Sequence, residues 1–220
     1  MRPGTPGILS SAGPLSQSAT DLTFLVREVL LARPWSRDPS ALGAAWREVP
    51  RKTSLNIGVF LGDEHYPLAP ATRQAIQSAA EKLTRGGHNI SIVDNFPPLH
   101  EAVKIAARLL MLDNNHTLMK HVQAGGEEPI AALSYTNLAS VVGSRPSTLD
   151  DAWTSNTQLA AYRQKVFEIW KRLDLDVLLC PGARTSAAPH DTFGMPAYTL
   201  IWNLLDVRGH FVNPSQPTRR

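Results

Sequence analysis

The middle of the chain alternates between short apolar runs and a longer segment with apolar residues at helical spacing. Residues 55–61 have the length and composition of a buried strand. Residues 69–85 place apolar side chains on one helical face, and Gly86 and Gly87 end that helix where a left-handed cap is expected. Residues 89–93 are typical of a second strand. This order predicts a βαβ unit with two parallel strands and a right-handed crossover.

The segment before this unit has a different composition. Residues 1–17 are rich in Gly, Pro and Ser and are expected to form an extended arm. Ser18 or Thr20 is expected to cap a helix that ends before Pro34. The proline-containing connector at 35–52 is expected to be a loop with one short turn of helix.

The segment after the unit predicts mostly helix. A continuous helix is expected over about 99–123, and a weaker helical stretch follows at 129–142. Ser147 or Thr148 is expected to begin a long helix that runs to residue 173. Residues 175–180 then form an apolar run typical of a buried strand. The whole pattern predicts the α/β class.

Composition narrows the class of protein further. The 220 residues are 43% hydrophobic and 19% charged, which is enough apolar material for a folded core. The net charge of +3 is spread along the chain, so we expect no nucleic-acid partner. The single cysteine, Cys180, excludes an internal disulfide framework. No secretory leader or apolar run of about 20 residues is apparent, so we expect a cytoplasmic protein without a transmembrane segment.

The residues give little sign of cofactor chemistry. Gly62 is followed by Asp63 and Glu64, whose negative charges would repel a phosphate from the first strand–helix turn. Asp113, His116 and His121 could be imagined as metal ligands, but the two histidines are five residues apart and diverge on a helix. We therefore expect neither a cofactor nor a metal.

Candidate nucleophiles are also weak. No Gly-x-Ser-x-Gly elbow is present, and the pair Ser10 and Ser11 has no lysine or histidine at a telling spacing. Cys180 ends a predicted buried strand, where a thiol packs more often than it reacts. His190 and Asp191 form a loop pair that could either contact a substrate or make an Asx-type turn.

Four blocks of sequence carry a resemblance. The most distinctive is Leu173-Asp174-Leu175-Asp176-Val177-Leu178-Leu179-Cys180-Pro181, and the others lie at 4–22, 55–60 and 188–206. In this order they resemble the C-terminal portion of the amidase signature family, especially its fungal acetamidase-like and fatty-acid-amide-hydrolase-like members. The resemblance implies a partial amidase-signature fold at 1–206, a mixed sheet with helices on both faces, incomplete at both ends. Residues 207–220 diverge from the family and are expected to form a disordered tail, for which a retained intron or gene-model error is one hypothesis.

The same resemblance bears on function. The family hydrolyses carboxylic amides with a Lys-Ser-Ser triad, and the matching positions are expected to lie upstream of Met1. No catalytic residue can therefore be assigned, and we expect the chain to be inactive alone, with a small-molecule amide as substrate of any active form. Residues matching the acyl channel of lipid-amide members are Phe193, Pro196 and Leu200, which could equally be core contacts.

Two alternatives to an amidase-type hydrolase remain open at this point. One is a non-catalytic binding or interaction protein derived from an amidase, which would bind a partner or ligand through uncovered strands and helix faces. Self-association through exposed sheet edges is a separate expectation for the chain. The other is an unrelated small α/β ligand-binding domain.

Overall fold

The computed structural model of the protein describes residues 8, 13–16, 18–39, 41, 43–131 and 138–206. The chain divides into two compact units, of which the smaller is Ser10–Lys52 and the larger combines Met1–Leu9 with Thr53–Arg220. The serine pair at 10–11, part of the weak helical stretch at 129–142 and the divergent tail at 207–220 lie outside the described residues.

The smaller unit contains one helix and one helical turn. Helix α1 spans Ala19–Leu31, and its N-cap is Ser18, whose hydroxyl accepts a hydrogen bond from the Asp21 backbone N–H at 3.4 Å. A 3₁₀ turn follows at Pro34–Ser36 and overlaps the start of the predicted connector. Both the end of the helix before Pro34 and the short helical turn are confirmed.

The larger unit is built on a three-stranded sheet in the order β2-β1-β3. Strand β1 spans Asn56–Val59, β2 spans Asn89–Ile92 and β3 spans Val177–Leu179, and both neighbours pair with β1 in parallel. Helix α2, Pro70–Arg85, connects β1 to β2, so the predicted βαβ unit is confirmed. All strands within the described ranges are parallel, whereas the resemblance implies a mixed sheet.

Glycine in the central strand allows close packing. A Cβ on Gly58 would lie 2.8 Å from Leu175 Cδ1 and 2.9 Å from Leu178 Cδ1. A larger residue here would have to displace the ends of both leucine side chains, which now lie against the β1 backbone.

Helices form the rest of the core. In chain order they are α3 (Leu99–Leu110), α4 (Thr117–Ala124), α5 (Ala139–Val142), α6 (Leu149–Arg172) and α7 (Ala197–Leu205). Helix α3 packs against α5, α6 and α7. Its Leu99 and Leu109 share the main core cluster with Tyr162 of α6 and with Ile201 and Leu204 of α7. Burial of these apolar side chains stabilises the larger unit.

The predicted continuous helix at 99–123 is wrong, because two helices occupy this segment. The Asp113 carboxylate accepts hydrogen bonds from the backbone N–H groups of Asn115 and Thr117, at 3.2 and 2.9 Å. His116 has a left-handed backbone, with φ of 51°. Short polar side chains compete with the helical backbone for its hydrogen bonds, and here they end one helix and start the next.

Polar contacts cap the start of the long helix α6 and the end of the neighbouring helix α7. Thr148 and Asp151 form a capping box at the start of α6, as the sequence predicts. Hydrogen bonds from Arg145 and Thr148 hold the pKa of Asp151 well below its usual range. Further along α6, the Arg163 guanidinium donates two hydrogen bonds to the Leu204 carbonyl, at 2.9 and 2.7 Å. A cation therefore caps the C-terminal end of α7.

Ser155 provides a test of the core. Its hydroxyl on α6 is fully buried and has no hydrogen-bond partner. A buried hydroxyl without a partner loses its hydrogen bonds to water and gains none in the protein, which destabilises the folded state. Alanine also has a higher helix propensity than serine. We expect Ser155→Ala to raise the free energy of unfolding by about 1 kcal/mol in urea denaturation.

Tyr162 serves as the contrasting variant. Its buried hydroxyl donates to the Pro97 carbonyl at 2.9 Å. Tyr162→Phe should lower the free energy of unfolding by about 1 kcal/mol. Equal losses in both variants would show that the Ser155 hydroxyl is bonded after all.

Candidate functional site

Two loops meet at the carboxyl edge of the sheet. Residues 60–69 follow β1, and residues 180–196 follow β3 and lead into α7. Because β1 and β3 are parallel neighbours, their carboxyl ends emerge on the same edge, where α/β proteins usually bind ligands. The backbone N–H of Ala69 donates to the Arg184 carbonyl at 2.9 Å and joins the two loops directly.

Asp63 organises the first loop. One carboxylate oxygen accepts hydrogen bonds from the backbone N–H groups of His65 and Tyr66, at 2.9 and 3.2 Å. The other accepts from the N–H of Leu99, the first residue of α3, at 3.0 Å. The side chain therefore shapes its own loop and satisfies a free donor at the start of α3.

Tyr198 connects the second loop to the first. Its hydroxyl accepts from the Asp63 N–H at 3.0 Å and donates to the Tyr66 carbonyl at 2.6 Å. The residue is buried, and burial is the main cause of its raised pKa. Gly62 lies directly beneath, with φ of +110°, and a Cβ there would stand 3.2 Å from the Tyr198 hydroxyl and 2.9 Å from Leu68 Cγ. Glycine is needed here for both its backbone conformation and its size.

A small pocket opens beside Tyr198. Its volume is about 40 Å³, and its lining includes Arg184, Thr185, Phe193, Met195 and Pro196. Small-molecule sites usually enclose about 300–1,000 Å³. The pocket is therefore much smaller than a usual small-molecule site.

The pocket contains two of the three residues predicted to line a substrate channel. Phe193 and Pro196 line it, and the Phe193 side chain is 59% exposed. Leu200 does not line it; this residue is partly buried on α7 and packs against the main core cluster. Sequence reasoning missed Arg184 and Thr185, although their position just after a strand of a parallel sheet was a usable signal.

The other candidate residues do not join this pocket. Cys180 is partly buried, and burial raises the pKa of its thiol to about 11, so it is a poor nucleophile at neutral pH. His190 and Asp191 lie in a turn closed by the Thr192 N–H and the Pro189 carbonyl at 3.2 Å. This arrangement favours their interpretation as turn residues.

The residues considered as metal ligands, Asp113, His116 and His121, also lie away from the pocket. Asp113 and His116 line a separate cavity of about 150 Å³ between α3 and α4, whereas His121 does not. No group of three metal-binding side chains occurs among the described residues.

The helices in the described ranges were also compared with the requirements of a membrane span. None of them has both the length and the apolar character that such a span needs.

Comparisons with known proteins agree with this fold. A family model described as "Amidase" matches residues 3–216. A curated protein named "Amidase" from Gibberella moniliformis is 38% identical over 207 residues, which cover 92% of this chain and 38% of that protein. An "Acetamidase" from Aspergillus oryzae is 24% identical, covering 92% of this chain and 39% of the relative. The chain thus spans about two fifths of the length of these relatives.

A solved structure gives the same result for the fold. A chain named "Fatty acid amide hydrolase" superposes with a TM-score of 0.82 at 22% identity, covering 92% of this chain and 36% of that chain. The fold is therefore part of an α/β fold of this kind. The family match over residues 3–216 shows that the chain belongs to the amidase family, which excludes an unrelated α/β ligand-binding domain.

The Tyr198 bridge leads to a stability prediction. Tyr198→Phe leaves the Asp63 N–H and the Tyr66 carbonyl without their buried partner. We expect a loss of about 1–2 kcal/mol in the free energy of unfolding, measured by urea denaturation. Tyr66→Phe is the matched control, because it removes a hydroxyl from the same region and keeps the bridge. Equal effects in the two variants would contradict a specific role for the Tyr198 hydroxyl.

Proposed function

We propose that residues 1–206 are the C-terminal part of an amidase-signature hydrolase domain and that this chain alone does not hydrolyse amides. The reaction of such a domain converts a carboxylic amide to an acid and an amine. The observation that carries the proposal is the family match over nearly the whole chain, combined with a pocket too small to be a complete site.

The surroundings of the possible nucleophiles support inactivity. A serine hydroxyl attacks a carbonyl only when a neighbouring base accepts its proton. The buried Ser155 hydroxyl has no hydrogen-bond partner, and the Cys180 thiol has a raised pKa. Lys165 lies 3.5 Å from the Glu101 carboxylate, and Lys171 lies over the Phe167 ring. None of these contacts resembles the Lys-Ser-Ser arrangement that the resemblance implies.

The remaining role is to form one side of the substrate site. Phe193 and Pro196 present apolar surface at the pocket, and Leu200 lies one helical turn beyond Pro196, whose carbonyl accepts the Leu200 N–H at 2.8 Å. Apolar residues in this position suit an acyl chain, because burial of each CH₂ contributes about 0.8 kcal/mol. Leu200 packs against the core cluster, so we propose that it helps to hold α7 in position.

The proposal predicts the absence of turnover. The purified chain should not hydrolyse acetamide or a long-chain fatty amide above the rate of buffer, and a fluorophosphonate probe should label no serine. A full-length amidase assayed in parallel shows that the reagents work. Labelling of the chain that depends on its native fold would contradict the proposal and identify the nucleophile.

A second candidate function rests on the β3 edge. Residues 177–180 are a continuous apolar run, which is typical of an interior strand of a parallel sheet. Among the described residues, β3 pairs with no strand other than β1, and Val177 is 44% exposed. By contrast, β2 alternates polar and apolar residues, which is the pattern of a strand with only one buried face. We propose that two copies of the chain associate through their β3 edges.

This association can be tested by sedimentation. Val177→Lys should shift the chain from dimer toward monomer at a given concentration, because an edge lysine opposes strand pairing. Ile92→Lys, at a position of β2 with 47% exposure, is the matched control and should leave the dimer intact. A monomeric wild-type chain, or an equal effect of both variants, would contradict the β3 interface.

A further inference from the structure

Helix α6 carries large apolar residues on its exposed side as well as on its core side. The residues that are buried on the core side are Ala152, Ser155, Leu159, Tyr162, Val166 and Ile169. On the exposed side, Trp153 and Phe167 are 62% and 56% exposed. Exposed aromatic side chains that share one face often mark a surface that contacts another protein. The exposed stripe of α6 is therefore a candidate interaction surface.

The stripe is symmetric about Ala160. Trp153 lies seven residues before Ala160, and Phe167 lies seven residues after it. Seven residues make nearly two helical turns, so all three side chains lie on one face of α6, with each aromatic residue about 10 Å from Ala160 along the helix axis. Ala160 is exposed and small, so a second helix can approach closely at the centre of the stripe.

The charges at the two ends of α6 have opposite signs. The first turn contains Asp150 and Asp151, and the last turn contains Lys171. Asp151 forms a salt bridge with Arg145, whereas Asp150 forms none within the described ranges. The Lys171 Nζ lies 5.9 Å from the centroid of the Phe167 ring, so this cation is at the end of the stripe. A second α6 in the opposite direction would bring an acidic end against a basic end.

We infer that two copies of the chain associate through this stripe as an antiparallel pair of α6 helices, with Ala160 at the twofold axis. In such a pair, Trp153 of each copy lies opposite Phe167 of the other. Asp150 of each copy comes close to Lys171 of the other. A twofold pair makes every contact twice, so one stripe supplies both sides of the interface. A parallel pair would instead place the two acidic ends together and align the helix dipoles, which is unfavourable.

This association is separate from the one proposed for the β3 edge. The stripe lies within Leu149–Arg172 and shares no residue with Val177–Leu179. One helix face is smaller than a standard protein interface of about 1,600 Å², so we expect a weak dimer that forms at high protein concentration. The inference makes no use of amide hydrolysis and does not rest on the proposed function.

Cysteine cross-linking locates the twofold axis. The background is Val177→Lys with Cys180→Ser, which removes pairing through the β3 edge and the natural thiol. Ala160→Cys should form a disulfide-linked dimer under mild oxidation at high protein concentration, because two cysteines can join only when their Cα atoms lie within about 7 Å. Ala161→Cys is the matched control, since this residue is also exposed but lies about 100° around the helix. It should cross-link about tenfold more slowly.

A mixture of two further variants determines the direction of the pair. Asn156→Cys and Gln164→Cys change exposed residues that lie four positions before and four positions after Ala160. In an antiparallel pair, position 156 of one copy meets position 164 of the other, so disulfides should join the two different variants. In a parallel pair, each variant would link to itself. Mass spectrometry of the linked peptides distinguishes these products.

Removal of an aromatic side chain tests the energetic role of the stripe. Trp153→Ser should lower the yield of the Ala160→Cys dimer about tenfold, because buried aromatic residues contribute much of the binding energy of an interface. Leu118→Ser is the matched control, since it removes an exposed apolar side chain from α4 and should leave the yield unchanged. Thermal unfolding of each variant verifies that the fold is intact.

Four results would each overturn the antiparallel α6 pair. These are the absence of an Ala160→Cys dimer, equal cross-linking of Ala160→Cys and Ala161→Cys, self-linked Asn156→Cys chains, and equal effects of Trp153→Ser and Leu118→Ser. None of them bears on amide hydrolysis, and turnover by the chain would leave the α6 pair unaffected. The failure of this inference is therefore distinguishable from the failure of the proposed function.

Discussion

The hydrogen bonds between Tyr198 and the Asp63 loop are the constraint on which the candidate site depends. The Tyr198 hydroxyl joins the start of α7 to the loop after β1, and the Asp63 carboxylate joins that loop to the start of α3. Three elements that are distant in sequence are thereby fixed at one sheet edge. Tyr198 is buried, so breaking the bridge would leave polar groups without a hydrogen-bond partner. That loss would destabilise the folded state, which is why the bridge stays closed.

The residues that fix the pocket are different from the candidate nucleophiles. Pro196 and Phe193 lie just before α7, so a fixed α7 also fixes the apolar lining of the pocket. Arg184 is fixed from the other side through its carbonyl. Of the candidate nucleophiles in the described ranges, the buried Ser155 hydroxyl has no hydrogen-bond partner, and burial raises the pKa of the partly buried Cys180 thiol. A serine or cysteine needs an adjacent base to attack an amide, which is why the proposed function assigns no catalytic role to these two residues.

Local patterns predicted those parts of the fold that local forces determine. The βαβ unit follows from hydrophobic periodicity, and the Thr148 cap follows from side-chain chemistry within one helical turn. The break after α3 was missed because apolar residues continue across it at helical spacing, while Asp113 redirects the backbone hydrogen bonds. The prediction of a continuous helix did not account for these hydrogen bonds between the Asp113 side chain and the backbone.

The site was less predictable than the fold. Asp63 and Tyr198 are 135 residues apart, and no periodicity connects them. Resemblance to a family pointed to Phe193, Pro196 and Leu200 as channel residues; the first two line the pocket, whereas Leu200 packs against the core cluster, and their role in a channel stays a prediction. Arg184 could have been found from its position after a parallel strand, once that strand had been placed next to β1.

Hydrogen exchange at the Asp63 loop tests the central claim most directly. If the bridge holds the sheet edge together, the backbone N–H groups of Asp63, His65 and Leu99 should exchange slowly and at similar rates, because one opening event exposes all three. Fast exchange of the Asp63 and His65 amides, with only Leu99 protected, would show an independently mobile loop and would contradict the account.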